Sequence, residues 1–459
     1  MSDQFDAVVI GAGQAGPSLA VRLAQSGRRT AIVERKALGG TCVNTGCTPT
    51  KTLVASARAA HMARRAADYG VSFAGSVAVD MKKVKARKDA VVQRSVDNLG
   101  RWLQGTPNLT VIHGHARFDN AHSVRVGDRL LEAKWFFLDT GGRARIPDMP
   151  GVQDVAYLTN SSIMALDTLP GHLIIVGGSY VGLEFAQMYR RFGSRVTVVE
   201  MGPRLIGRED EDVSDAVRAI LEKEGVAVRT GARCISLHPG VNGVAVGLDC
   251  NEEPRTVDGT HVLLAVGRTP NTDDLGLEKA GVATDKRGHI TVDDELRTGV
   301  PGIWALGEVN GRGAFTHTSY NDYEIVAANL LGSERRRVTD RIPTYALFTD
   351  PPLGRAGMSE REAKARGGNL LAGKLAMSRV ARARERSETD GFMKVVVDGD
   401  TKRILGAAIL GIEGDEAIHS VLDIMYADVP YTVMQRAVHI HPTVTELIPT
   451  MLGDLKPLA

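Results

Sequence analysis

Cysteine is scarce in this chain, with only four in 459 residues, at positions 42, 47, 234 and 250. That is too few for the disulfide scaffold of a small secreted fold. The expectation is a cytoplasmic protein, in which a paired cysteine is catalytic rather than structural. Long apolar runs are also lacking. None approaches the ~18–20 residues a bilayer requires, and the first, 7–10, follows Asp3 and Asp6 rather than a basic leader. Nor is there an excess of one charge: 56 Lys and Arg face 54 Asp and Glu, and a formal net charge of +2 gives no reason to expect nucleic acid. The basic runs at 82–88 and 335–337 read as solvated faces. No CxxC or HExxH pair accompanies the cysteines, so no metal site is expected. Cys234 and Cys250 sit in strand-like runs and read as inert.

What the chain does have is glycine in ordered places. Residues 5–34 read as strand, turn, helix and strand, with Gly11-Ala12-Gly13-Gln14-Ala15-Gly16 at the turn and Glu34 closing the second strand. In such a unit Gly11 permits the tight turn, Gly13 lets backbone approach a pyrophosphate, and Gly16 lets helix pack on strand. The helix N-terminus supplies amide donors, and the acid suits a ribose hydroxyl pair. The same unit recurs at 174–200, where Gly177, Gly182, Gly193 and Glu200 repeat Gly11, Gly16, Gly27 and Glu34 at a constant offset. Two dinucleotide sites are therefore expected. Ser179 replaces the middle glycine of the second, where its side chain either crowds a phosphate or donates to it. Glu200 favours the free 2′-hydroxyl of NADH over the 2′-phosphate of NADPH, while Arg204 nearby leaves NADPH open.

Between these units, 81–103 carries Val84, Val91, Val92, Val96, Leu99 and Leu103 at helical spacing, predicting one amphipathic helix with a core-facing stripe. Strand-like segments follow at 109–113, 116–118, 123–126 and 135–140, the last running into Thr140-Gly141-Gly142. The second unit closes similarly, 262–266 running into Gly267. At 298–311 an apolar strand delivers Glu308 at a glycine turn, and 321–331 reads as helix. From 343 on, strand-like runs at 393–397 and 404–410 replace the glycine-rich units, marking a further domain with a boundary near 335–343.

The most chemical stretch is Gly39-Gly40-Thr41-Cys42-Val43-Asn44-Thr45-Gly46-Cys47-Thr48-Pro49-Thr50-Lys51. With 39–47, His441-Pro-Thr-Val-Thr-Glu446 and both nucleotide units in place, the chain resembles the class I pyridine nucleotide–disulfide oxidoreductases across essentially its whole length. That family includes dihydrolipoamide dehydrogenase, glutathione reductase and mercuric reductase. The run Trp304-Ala-Leu-Gly-Glu-Val-Asn-Gly with Phe315-Thr316-His317 looks most like its mercuric-reductase-like branch, which includes flavoenzymes that respond to reactive chlorine and reduce copper.

The resemblance implies an α/β fold: two Rossmann-like, three-layer ββα dinucleotide-binding domains and an α+β C-terminal dimerisation domain. The divisions would be 1–145 with 270–335 for FAD and the central region, 146–269 for NAD(P)H, and 340–459 for a homodimer interface. It places FAD on Gly11, Gly13, Gly16, Glu34, Thr41, Lys51, Thr140, Gly141, Glu308 and Thr316. The nicotinamide nucleotide falls on Gly177, Ser179, Gly182, Glu200 and Gly267. Position 308 is usually Asp in the family. Cys42 and Cys47 would form a redox-active disulfide, Cys47 facing the flavin from a helix start and Cys42, the more exposed, attacking substrate. Lys51 would pair with Glu184. His441, held by Glu446, would supply acid–base chemistry from the other subunit, with His439 as its competitor for that role. Thr48 stands where relatives carry an apolar residue, so its hydroxyl is expected beside the Cys47 thiolate.

No cysteine follows Cys250 in this sequence, so metal hand-over by a C-terminal cysteine pair, as in mercuric reductases, is not expected. Three functions remain: an NAD(P)H-driven reductase of a disulfide, thiophilic metal ion or related oxidant; a dihydrolipoamide dehydrogenase; and a non-catalytic flavin redox sensor.

Overall fold

The computed structural model describes residues 2–248 and 255–458, so Cys250 lies outside the described residues. Strand Ser2–Ile10 lies at the heart of a seven-stranded sheet. Thr30–Glu34 and then Leu109–His113 pair in parallel on one side of it, and Arg129–Leu138 pairs on the other. Ile303–Ala305 returns from far along the chain to pair in parallel with the end of that last strand. Residues 7–10 are buried on both faces, as suits the near-continuous apolar run of a central parallel strand.

The second unit repeats the plan. Ala227–Arg229, Arg195–Val199, His172–Val176 and His261–Leu264 form a parallel sheet in that order. A two-stranded antiparallel ladder, Gly142–Ala144 with Arg268–Pro270, joins the two units at their nucleotide-facing ends. The third unit is a six-stranded antiparallel sheet running from Thr344–Leu347 to Lys456–Pro457, with helix Gly414–Tyr426 packed on it.

The fingerprint glycines are where backbone needs them. Gly11 has φ +105°, and a Cβ there would stand 2.2 Å from the Asp139 carbonyl oxygen. Gly177 repeats this with φ +114° and a Cβ position 2.4 Å from the Ala265 carbonyl oxygen. Two strands of each unit approach too closely there for any side chain.

Several expectations need correcting. The helix Met81–Gln104 forms and packs on helix Cys47–Arg64 and on strand Leu109–His113, but of its apolar stripe only Leu103 is fully buried; Val84 and Leu99 are half-buried against the cores. Lys88, expected on a solvated face, is only 5% exposed; its long stem carries Nζ to the Met164 carbonyl at 2.8 Å. Cys234 lies on an exposed bend ahead of strand Ser236–Gly240, not within a strand. The helix expected at 321–331 begins earlier, as Thr316–Leu331. Among the described residues, no helix is long and apolar enough to cross a membrane.

Candidate active site

A cleft of about 1530 Å³ runs between the three units. It is larger than the ~300–1,000 Å³ typical of small-ligand pockets. The short helix Gly40–Thr45 and the start of helix Cys47–Arg64 carry both cysteines into it. Gly40, at φ +58°, seats the cysteine segment against the first fingerprint: a Cβ there would be 2.8 Å from Gly13 Cα. Asn44 pins the turn by donating to the carbonyls of Leu38 and Gly40, each at 2.9 Å.

The structure describes the pair in its reduced, dithiol form. Cys47 is exposed to the cleft and Cys42 is half-buried, the reverse of the expected order. Cys47 Sγ lies 3.2 Å from Thr316 Oγ1. A hydrogen bond from the Cys42 thiol lowers the Cys47 pKa to about 6, against the opposing effect of burial; Thr316 and the Lys51 charge lower it further. The same pairing pushes the Cys42 thiol up, so Cys42 keeps the shared proton while Cys47 is the thiolate. The hydroxyl beside Cys47 is thus that of Thr316, not Thr48. Among the described residues Thr48 contributes only its carbonyl, to Thr52, at 2.7 Å.

Lys51 Nζ lies 2.7 Å from Glu184 Oε2 and 4.3 Å from the centroid of the Phe348 ring. The Phe348 amide donates to the other Glu184 oxygen at 3.1 Å. Phe348 comes from the C-terminal unit, so all three units meet at this charge pair. A wall of aromatic rings stands alongside. Tyr180 lies 5.5 Å from Tyr345 and 6.3 Å from Phe315, and Phe315 stacks on His317 at 5.4 Å. The Tyr180 and Tyr345 hydroxyls both meet Glu209 Oε1.

The first fingerprint fits a dinucleotide. Glu34 Oε2 takes the Ala12 amide at 2.9 Å and Oε1 the Lys36 amide at 2.7 Å, so the acid is fixed at the strand end with the turn open to the cleft. Gly11, Gly13, Thr41, Thr140, Gly141, Glu308 and Thr316 line the cleft with Lys51; Gly16 lies behind the turn, its amide donating to Asp139. Thr140 and Asn271 exchange two 2.9 Å hydrogen bonds, which hold the strand end against the central segment. Glu308 Oε1 accepts from Arg268 Nε at 2.6 Å, so its additional methylene is used to reach a guanidinium. In the second fingerprint, Glu200 takes the Gly178 and Gly202 amides, each at 2.6 Å. Ser179 and Gly267 face the common cleft, while Gly177 and Gly182 form the turn behind them.

His441 and Glu446 are brought together, Nδ1 to Oε2 at 2.6 Å, but they do not line the cleft of their own chain. The imidazole is 74% exposed and its carboxylate partner is buried. His439 instead spends Nδ1 on the Thr445 carbonyl at 2.8 Å, which is a structural role. Among the described residues no cluster of three or more His, Cys, Asp or Glu side chains is placed to hold a metal ion. Sequence reasoning passed over Phe348, Tyr345, Glu209 and Asp139. Only Asp139 had a signal of its own, an acid where the second unit ends its strand on Ala265.

Comparison with known proteins identifies the family of the chain. The profile described as pyridine nucleotide-disulphide oxidoreductase matches residues 5–322, and that of the family's dimerisation domain matches residues 343–452. The chain is similar to RclA of Escherichia coli, 36% identical over 99% of this chain and all of that one. It is also similar to dihydrolipoyl dehydrogenase of Thermus scotoductus, 32% identical over 96% of this chain and 95% of that one. Mercuric reductase of Staphylococcus aureus is 30% identical over 91% of this chain and 76% of that one. The solved structure of the HOCl-induced flavoprotein disulfide reductase RclA superposes with a TM-score of 0.88 at 36% identity, covering 98% of this chain and 99% of that one. The chain belongs to the pyridine nucleotide-disulphide oxidoreductase family, enzymes that use FAD and a pyridine nucleotide to work a redox-active cysteine pair.

Proposed function

We propose that Cys42 and Cys47 are the redox pair of an NADH-driven reductase whose acceptor is a thiophilic metal ion such as Cu(II), or a small disulfide. The observation that carries this is the Cys47 thiolate, held by Cys42, Thr316 and Lys51 at the mouth of a dinucleotide-sized cleft. The first fingerprint with Glu308 and Thr316 would hold FAD, which when bound would supply a relay for an electron pair between the nicotinamide and the Cys42–Cys47 disulfide.

The chain's own groups do the rest. Cys42 holds the proton of the dithiol, so a base must remove it before its sulfur attacks. His441, with Nδ1 committed to Glu446, keeps Nε2 for that purpose, and it reaches Cys42 only from a second copy of the chain. Val438 is 98% exposed and Ile440 77%, an apolar surface flanking His441 that a homodimer would cover. With a disulfide acceptor, the Cys42 thiolate displaces one sulfur as a thiolate and forms a mixed disulfide. The His441 imidazolium returns the proton to the departing thiolate. Cys47 then attacks Cys42 Sγ, expelling the second sulfur as a thiolate that takes its proton from solvent, and the internal disulfide is restored.

Glu200 supports NADH, because both its oxygens are fixed at the ribose position. Arg204 is engaged by Glu211 and lies 3.9 Å from Asp215. The division into 1–145 with 270–335, 146–269 and 340–459, and a cytoplasmic location, belong to the same reading. Copper is favoured because the RclA structure with TM-score 0.90 is a Cu(II) complex. The test is NADH-dependent turnover with Cu(II), Hg(II), glutathione disulfide and lipoamide side by side. Turnover fastest with lipoamide would make the protein a dihydrolipoamide dehydrogenase instead.

A further inference from the structure

One buried acid takes no part in this chemistry. Asp139 follows strand Arg129–Leu138 and is only 6% exposed, directly beneath the first fingerprint. Its Oδ2 accepts the Gly16 amide at 2.7 Å. A Cβ on Gly13 would stand 2.9 Å from Oδ2, and one on Gly307 would stand 3.1 Å from Oδ1. The carboxyl thus touches both glycine turns that border the cleft, and Asp139 is among the residues that line it.

The chain contains its own control. Gly11 closes on the Asp139 carbonyl in the first unit as Gly177 closes on that of Ala265 in the second. The fold therefore asks only for backbone at this place, and the carboxyl is an addition peculiar to the FAD-facing unit.

Apart from the backbone amides it accepts, its surroundings oppose a negative charge. Glu34 acts on it from the end of strand Thr30–Glu34, across the central strand Ser2–Ile10, with its oxygens on the Ala12 and Lys36 amides. Asp322 faces it from helix Thr316–Leu331, paired with Arg341 and holding the Gly307 amide at 2.7 Å and Asn310 at 2.9 Å. Glu308, on the turn between them, is taken by Arg268. Each nearby cation is committed to another carboxylate, and among the described residues Asp139 has no ion pair. Burial pushes the Asp139 carboxyl well above the usual carboxylate range; Asp322 and Glu34 act in the same direction, against the Gly16 and Ala15 amides.

We infer that Asp139 is a cofactor-binding residue that links FAD retention to protons: FAD is held with this carboxyl neutral, and its ionisation loosens the pyrophosphate. This rests on FAD occupying the first fingerprint, as proposed above. The balance is simple. Where Asp139 is ionised without FAD, one proton enters with the cofactor and leaves with it, and no other bond changes.

The test is FAD release, read as the rise in free-flavin fluorescence when holoenzyme is diluted at a series of pH values from mildly acid to alkaline. The dissociation constant should rise with pH by up to about tenfold per unit, the limit for one linked proton. Asp139→Asn has the same shape, keeps an acceptor for the Gly16 amide and cannot ionise. It should hold FAD with no such slope and more tightly than wild type at alkaline pH. An Asn variant whose curve is parallel to that of wild type, or looser at every pH, overturns the inference, since that is what a purely structural Asp139 would give. Should the variant not fold, FAD binding to the wild-type chain at alkaline pH must still take up a proton, read by calorimetry in buffers of different ionisation enthalpy; binding without proton uptake overturns the inference equally. A purified chain with no bound flavin overturns the placement of FAD itself, whereas bound flavin with pH-independent release overturns only the role of Asp139.

Discussion

Replacing Thr316 with Val removes one hydroxyl and almost no volume, and the hydroxyl it removes lies 3.2 Å from Cys47 Sγ. A hydrogen bond to a charged group contributes about 1.5–3 kcal/mol, and a pKa unit corresponds to about 1.4 kcal/mol. Cys47 opens onto the cleft, where water screens and competes, so the lower end applies, a rise of roughly one unit. The Cys47 pKa, lowered to about 6 in the intact site, should therefore climb to ~7. The sign is that of a thiol stabilised as thiolate: the charge is present above the pKa and lost as pH falls through it. At neutral pH the thiolate fraction would drop from about nine-tenths to about half. Thiolate ultraviolet absorbance of the dithiol form, followed against pH, reads the midpoint directly. A Thr316→Val midpoint within a few tenths of a unit of wild type, or the same rise on Thr48→Val, would refute the assignment of this hydroxyl.

Other outcomes follow from the same geometry. Subunits carrying Cys42→Ser and subunits carrying His441→Ala should each be inactive towards disulfides, yet regain turnover when dissociated and reassembled together, because mixed dimers contain one intact site; failure to regain it would place both groups in one chain. Asp350, paired with the buried Arg191 and with Arg58, has its carboxyl lowered by these charges against the effect of burial. Its contribution is present above about pH 4 and lost as pH falls through its lower folded value. Asp350→Asn should therefore destabilise at neutral pH by part of the ~3–5 kcal/mol of a broken buried pair, Glu224 still holding Arg191, and thermal melts should converge with wild type in acid. NADH should exceed NADPH in kcat/KM by roughly tenfold or more, because the Glu200 carboxylate meets a 2′-phosphate as a like charge; equal values would contradict the role given to Glu200.

The parts legible in the sequence were those dictated by neighbouring backbone. Gly11 and Gly177 announce themselves because a strand end passes within contact distance of each, and the equal spacing of both units follows from one packing problem solved twice. The Lys51–Glu184 and His441–Glu446 pairs came from the family resemblance, and the fold places both within hydrogen-bond distance. The parts missed depend on segments that only the tertiary fold brings together. Cys47 and Thr316 are 269 positions apart, so a neighbour in sequence, Thr48, was the natural but mistaken candidate. Phe348 and Tyr345 reach the site from the third unit and carry no local pattern to mark them. The relative exposure of the two cysteines was misjudged because the walls of the cleft they share come from segments far apart in the chain.

The central claim is that Cys42 and Cys47 exchange electrons with a pyridine nucleotide as one disulfide. Anaerobic alkylation of the holoenzyme before and after one equivalent of NADH, read by peptide mass, tests it most directly, with the exposed Cys234 as internal control. The account predicts that Cys42 and Cys47 are protected before NADH and labelled together after it, while Cys234 is labelled throughout. Equal labelling of Cys42 and Cys47 with and without NADH would contradict it.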